Sequence, residues 1–180
     1  MANTNSLYYL SNFYLTTKKN LRSIYQKSNV YDRKISRVNN NSFEYKPSPH
    51  LLSSIIKYQK KKYKIDDFAI DSIWQNNINL EDYRKLNNFF WFFSLDLKSS
   101  KEKTQFIITN WINQNNRFDK KSWEFDLTAK RIISWLSNYQ LTYEGSDDDF
   151  KLKFNYSVQK QANHLLNEIN NSDEFENKMI

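Results

Sequence analysis

The stretch RFDKKSWEFDLTAKRIISWL, residues 117–136, sets Trp123, Asp126, Arg131 and Trp135 close together with no catalytic motif beside them. Ala129, Ile132, Ile133, Leu136 and, just beyond, Tyr139 recur at helical steps. That pattern predicts a loop over 115–125 followed by a helix. Asp126 stands where an N-cap belongs, because a short carboxylate there accepts an orphan backbone N–H. Asp126 and Arg131 are too far apart for the favoured three- or four-residue pairing on a helix. Trp123 and Trp135 are expected to pack in the core, with stacking on sugars or bases as the other use of an indole face.

Upstream, Asn79 reads as the N-cap of a helix with Glu81 and Asp82 in its first turn, where carboxylates meet the positive end of the helix dipole. Tyr83, Leu86, Phe90, Phe93 and Leu97 form its stripe, and Phe89, Trp91 and Phe92 spread aromatic surface round the other sides. A helix that is apolar nearly all round must be covered on more than one face. Ser99 or Ser100 caps a further helix carrying Thr104, Ile107, Ile108, Trp111 and Ile112 on one side.

Downstream, EGSDDD at 144–149 breaks the chain, and the last helix lines up Phe150, Phe154, Val158, Gln161 and Leu165. Asp147, Asp148 and Asp149 favour that helix's positive end more simply than they form a hard-cation site. His164 lies beside the stripe and reads as structural, since acid–base work needs a positioned partner.

Toward the amino terminus, Leu7, Leu10, Tyr14, Leu21 and Ile24 follow a helical period over 7–25, with Lys18, Lys19 and Arg22 on other faces. The expected use of such a stripe is docking on the core; lying on an anionic membrane surface is the alternative. Residues 36–49 are polar and end in Pro47 and Pro49, so they read as a connector. A short helix is expected over 50–60, and KYQKKKYK at 57–64 reads as a solvated face, with polyanion contact as the alternative. The domain plan is therefore 1–49, an amphipathic helix and connector; 50–170, a helical domain; and 171–180, a polar tail.

Composition agrees with a helical class. Aromatics make up 17% of 180 residues, while Gly145, Pro47 and Pro49 are the whole supply of turn punctuation. The predicted class is all-α, with short loops joining antiparallel neighbours. With no cysteine and two histidines, His50 and His164, no metal site is expected, and no cofactor motif such as GxGxxG or GxxxxGK[ST] occurs. The net charge of +7 predicts attraction to polyanions without choosing among them. No secretory signal pattern opens the chain, so the cytoplasm is the expected compartment. The longest intensely apolar run, FFWFFSL, is far shorter than the roughly 20 residues a membrane span needs, so no transmembrane segment is expected.

Five ordered elements carry a family resemblance: Phe89 with Trp91, Trp111 with Ile112, Trp123 ahead of Asp126, Arg131 with Trp135 and Leu136, and Gln161 with His164 and Leu165. Together they resemble the amino-terminal helical region of bacterial heparinase II/III family proteins, over about residues 70–168. The resemblance implies a polysaccharide-lyase-like α/α toroid, incomplete in this chain and without its β-sandwich, and a periplasmic setting. It implies acidic, uronic-acid-containing polysaccharide as the partner. The catalytic Tyr and His would then lie in later toroid helices and the sandwich, so no catalytic residue is assigned and the chain alone is expected to be inactive. Trp123, Arg131 and His164 are candidate substrate-binding residues; Phe89, Trp91, Trp111, Asp126, Trp135 and Gln161 are scaffold positions. A basic nucleic-acid-binding or protein-interaction module is the alternative.

Overall fold

Short polar side chains start most of the helices. In the computed structural model, which describes residues 3–38, 79–96 and 98–171, the elements are α1 (Asn3–Gln26), α2 (Asn29–Ile35), α3 (Leu80–Asn87), a 3-10 turn (Phe90–Ser94), α4 (Lys101–Gln114), α5 (Phe125–Ser137), α6 (Tyr139–Thr142) and α7 (Asp148–Asn171). No strand occurs among the described residues. Asn79 Oδ1 accepts the Asp82 N–H at 2.9 Å, as its sequence position predicts. Ser100 Oγ accepts Lys103 N–H at 3.3 Å, and Asp147 Oδ1 accepts Phe150 N–H at 2.7 Å. The expected helix at 50–60, the 57–64 lysine run, His50, Leu97 and the tail beyond 171 lie outside the described residues.

Asp126 is not the cap of α5. Helical geometry already includes Phe125, and Glu124 holds the N-cap position without a side-chain bond. The turn before it is set by Asp119, whose Oδ2 accepts the N–H groups of Lys121 at 3.0 Å and Ser122 at 2.9 Å. Asp126 instead sits in the first turn and pairs with Lys130 at 2.7 Å. Both partners are partly exposed and the pair is a solvent-screened i,i+4 contact, so Asp126→Ala should cost about 0.5 kcal/mol or less. Losing a true N-cap would cost typically ~1 kcal/mol; urea unfolding of the variant distinguishes the two.

The single long aromatic helix expected from Tyr83 onward is also corrected. α3 stops at Asn87, and Phe89 adopts the left-handed conformation at φ 58°. For a side chain with a Cβ this costs roughly 1–2 kcal/mol. The cost is offset because the turn drops the Phe89 ring, fully buried, onto the edges of Trp135 and Phe92 at 5.3 and 5.1 Å. A straight helix would have left several of these rings in water.

The core forms where α4 and α5 lie against α7, with α6 closing beside them and the 3-10 turn seated on α5. Phe89, Phe92, Ile107, Ile108, Trp111, Trp135, Phe154 and Val158 fill it. A second, smaller nucleus of Tyr31, Ile35, Trp123 and Phe118 attaches α2. α2 has no counterpart in the sequence reading, although Ser28 caps it and Tyr31 and Ile35 share a side.

α1 does not dock along its length as expected: its described side chains from Tyr9 to Leu21 are exposed on every face. Tyr14, Leu21 and Ile24 are 65%, 62% and 69% exposed, so the apolar stripe does not dock; the side chains of Leu7 and Leu10 lie outside the described set. The polar edge is what is pinned. Arg22 pairs with Glu168 at 3.0 Å and donates to the Asn171 carbonyl at 3.2 Å, and Gln26 Nε2 donates to Glu168 Oε1 at 2.6 Å.

Candidate functional site

Arg131 is the most unusual side chain in the core: a guanidinium with no exposed surface. α5 carries it inward, about 100° round the helix from Lys130, toward α3, α4 and α7. Its Nε donates to Gln161 Oε1 at 2.6 Å, and Nη1 donates to the carbonyls of Asn87 at 2.8 Å and Ser122 at 3.0 Å. Nη2 donates to Thr128 Oγ1 at 3.2 Å, and the guanidinium carbon lies 3.8 Å from the centre of the Trp111 ring. None of these partners is a carboxylate. Burial pushes the Arg131 pKa down, while the carbonyl oxygens and the indole face compensate the desolvated charge. Trp111 Nε1 in turn donates to Asn87 Oδ1 at 2.9 Å, which closes the network.

His164 organises the second nucleus. Its Nε2 lies 2.9 Å from the Trp123 carbonyl and its Nδ1 lies 2.6 Å from the Tyr31 hydroxyl. A carbonyl can only accept, so Nε2 carries the proton and Nδ1 accepts from Tyr31. Burial holds the Tyr31 phenol in its protonated form, which suits the donor role. Beside this pair, Lys160 reaches Asp32 at 2.8 Å and Asn163 donates to the Ile35 carbonyl at 2.8 Å, so α7 grips α2 along its length.

Burial lowers the His164 pKa from its ordinary 6.5, against a smaller opposing pull from Glu168. Just below pH 6.5 the unfolded chain therefore binds more protons than the folded one, and stability falls as the pH drops toward the folded-state pKa. Above 6.5 this contribution is fully present. Urea midpoints should decline as the pH falls below about 6.5. His164→Gln, which can still donate to the Trp123 carbonyl and accept from Tyr31, should flatten that slope.

The three candidate binding residues are thus brought to the interior: Trp123, Arg131 and His164 are 2%, 0% and 1% exposed. Trp123 and His164 meet, with ring centres 5.5 Å apart, and Gln161 links Arg131 to the same helix. Phe89, Trp111 and Trp135 share the main core, with Trp91 packed at its edge. Asp126 stays on the surface. The indole nitrogen of Trp135 has no hydrogen-bond partner in the buried core, so that residue contributes packing alone.

A surface feature escaped the sequence reading. An open cleft of about 500 Å³ lies between the carboxy-terminal half of α1, the end of α2 and the end of α7. Lys18, Arg22 and Lys34 line it together with the amides of Asn167 and Asn170 and the side of Tyr25. Lys34 Nζ donates to Asn167 Oδ1 at 2.7 Å, and Glu168 offsets part of the Arg22 charge. Its walls come from opposite ends of the chain, so no local motif could have pointed to it. Comparison with protein-family models, curated proteins and solved structures finds no match.

Proposed function

We propose that the chain is an amino-terminal helical segment of a heparinase II/III-like protein, built as antiparallel hairpins of an incomplete α/α toroid. It holds acidic, uronic-acid-containing polysaccharide and does not itself cleave it. The observation that supports this reading is the cleft. Lys18, Arg22 and Lys34 offer cations to uronate carboxylates, asparagine amides can bond sugar hydroxyls, and Tyr25 offers a ring face. The ordered Trp, Arg and His motifs are then the scaffold that positions it.

Catalysis has no support in the same residues. Elimination beside a uronate needs a base on the C5 proton, an acid on the leaving oxygen and a group neutralising the carboxylate, all touching substrate. Tyr31 and His164 are suitable residue types, but both are buried and bonded to one another.

The test is titration of the purified protein with polygalacturonate, with neutral dextran as control and DNA as competitor at equal ionic strength. Polygalacturonate should bind and dextran should not, and Lys18→Glu should weaken binding by about tenfold through charge reversal at the cleft. No absorbance from a new C4–C5 double bond should develop. DNA displacing the glycan would favour a nucleic-acid-binding module instead, and steady double-bond formation would overturn the non-catalytic reading.

A further inference from the structure

The outer face of α1 presents the largest run of exposed apolar side chains on the described surface. Tyr9, Phe13, Tyr14, Leu21 and Ile24 are between 62% and 72% exposed. At about 100° per residue these five fall within an arc of roughly 140°, and Arg22 and Gln26, which hold the helix to α7, lie on the opposite side. The helix is fastened at its last turn, by Arg22 and Gln26, and its described side chains from Tyr9 to Leu21 are exposed, the apolar stripe among them. An apolar face of this kind on a soluble surface marks a binding surface.

Charge selects the occupant. The 24 residues of α1 contain no aspartate or glutamate; Lys18 borders the stripe one turn beyond Tyr14, and Lys19 and Arg22 lie farther round the helix. Arg33, Lys34 and Arg37 stand exposed in and just after the neighbouring α2. Pairing with a second copy would set these cations against their equivalents. No described helix is long and apolar enough to cross a membrane. We infer that α1 lies in the interface of an anionic lipid membrane, its aromatic and aliphatic stripe inserted among the acyl chains and its lysines at the headgroups. Aromatic residues suit that depth, and cations add attraction near an anionic surface. The cleft borders this surface and shares Leu21 with it, whereas Phe13 and Ile24 lie outside the cleft lining.

The experiment is co-sedimentation of the full chain with phosphatidylcholine vesicles, with and without phosphatidylglycerol. Its control is a Phe13→Glu/Ile24→Glu double variant, in which both substituted positions are exposed and make no core contact. The wild type should sediment with the anionic vesicles and only weakly with the neutral ones. The double variant should lose about tenfold or more of its vesicle affinity, since two buried apolar side chains become charges. Its unfolding midpoint and its binding of polygalacturonate should not change. Absence of binding to anionic vesicles, or equal binding by the double variant, overturns the inference. So does a wild type that self-associates through this face while the double variant is monomeric.

Discussion

Arg131→Ala should destabilise the fold by about 3–4 kcal/mol, a large share of the roughly 5–15 kcal/mol typical of a domain. The substitution removes the donor to Gln161 Oε1 and to the buried carbonyls of Asn87 and Ser122. Those acceptors then remain desolvated with nothing to bond, which costs more than the bonds themselves contribute. Trp111 also loses the cation over its face. Arg131→Lys keeps the charge but lacks the planar fork, so it should recover less than half of the loss. Urea unfolding followed by tryptophan fluorescence measures both, and a shift under about 1 kcal/mol for Arg131→Ala would remove the buried network from the account.

Trp111→Ala is expected to be as costly, about 4–5 kcal/mol, because three effects coincide. The ring is fully buried among Phe89, Ile107 and Trp135, so truncation leaves a cavity that α4 and α5 cannot close without moving. It also strips Arg131 of its π face and Asn87 Oδ1 of its donor. Trp111→Phe retains most of the volume and should cost about 1–2 kcal/mol, chiefly for the lost hydrogen bond. Trp111→Ala and Arg131→Ala should be strongly non-additive, since each already breaks the contact the other would break. Simple additivity would mean that the two side chains act independently.

What could be read in the sequence was local. Asn79 and Ser100 cap their helices because an N-cap needs only a side chain within reach of its own backbone. The buried faces of α4 and α7 follow from periodicity, since Thr104, Ile107, Ile108 and Trp111, or Phe154, Val158 and Gln161, stack at helical spacing. What could not be read was decided by tertiary contact. The break at Phe89 repays its left-handed backbone only once the Trp135 and Phe92 rings are in place. Asp126 falls inside the helix because helical geometry already begins at Phe125, with Glu124 at the N-cap. In α1, periodicity defined a stripe but carried no information about which side meets the body; Glu168 and Asn171 on α7 decided that. The cleft was invisible for the same reason, its walls being Lys18 to Lys34 on one side and Asn167 to Asn171 on the other.

Trp123, Arg131 and His164 hold the helices together from inside, and the proposed glycan meets the cleft outside. Measuring both the urea midpoint and the polygalacturonate affinity of Arg131→Lys separates these roles. The midpoint should fall while the affinity equals that of the wild type under conditions where the variant is fully folded. An unchanged midpoint with lost affinity would contradict this assignment, because Arg131 would then be touching the ligand.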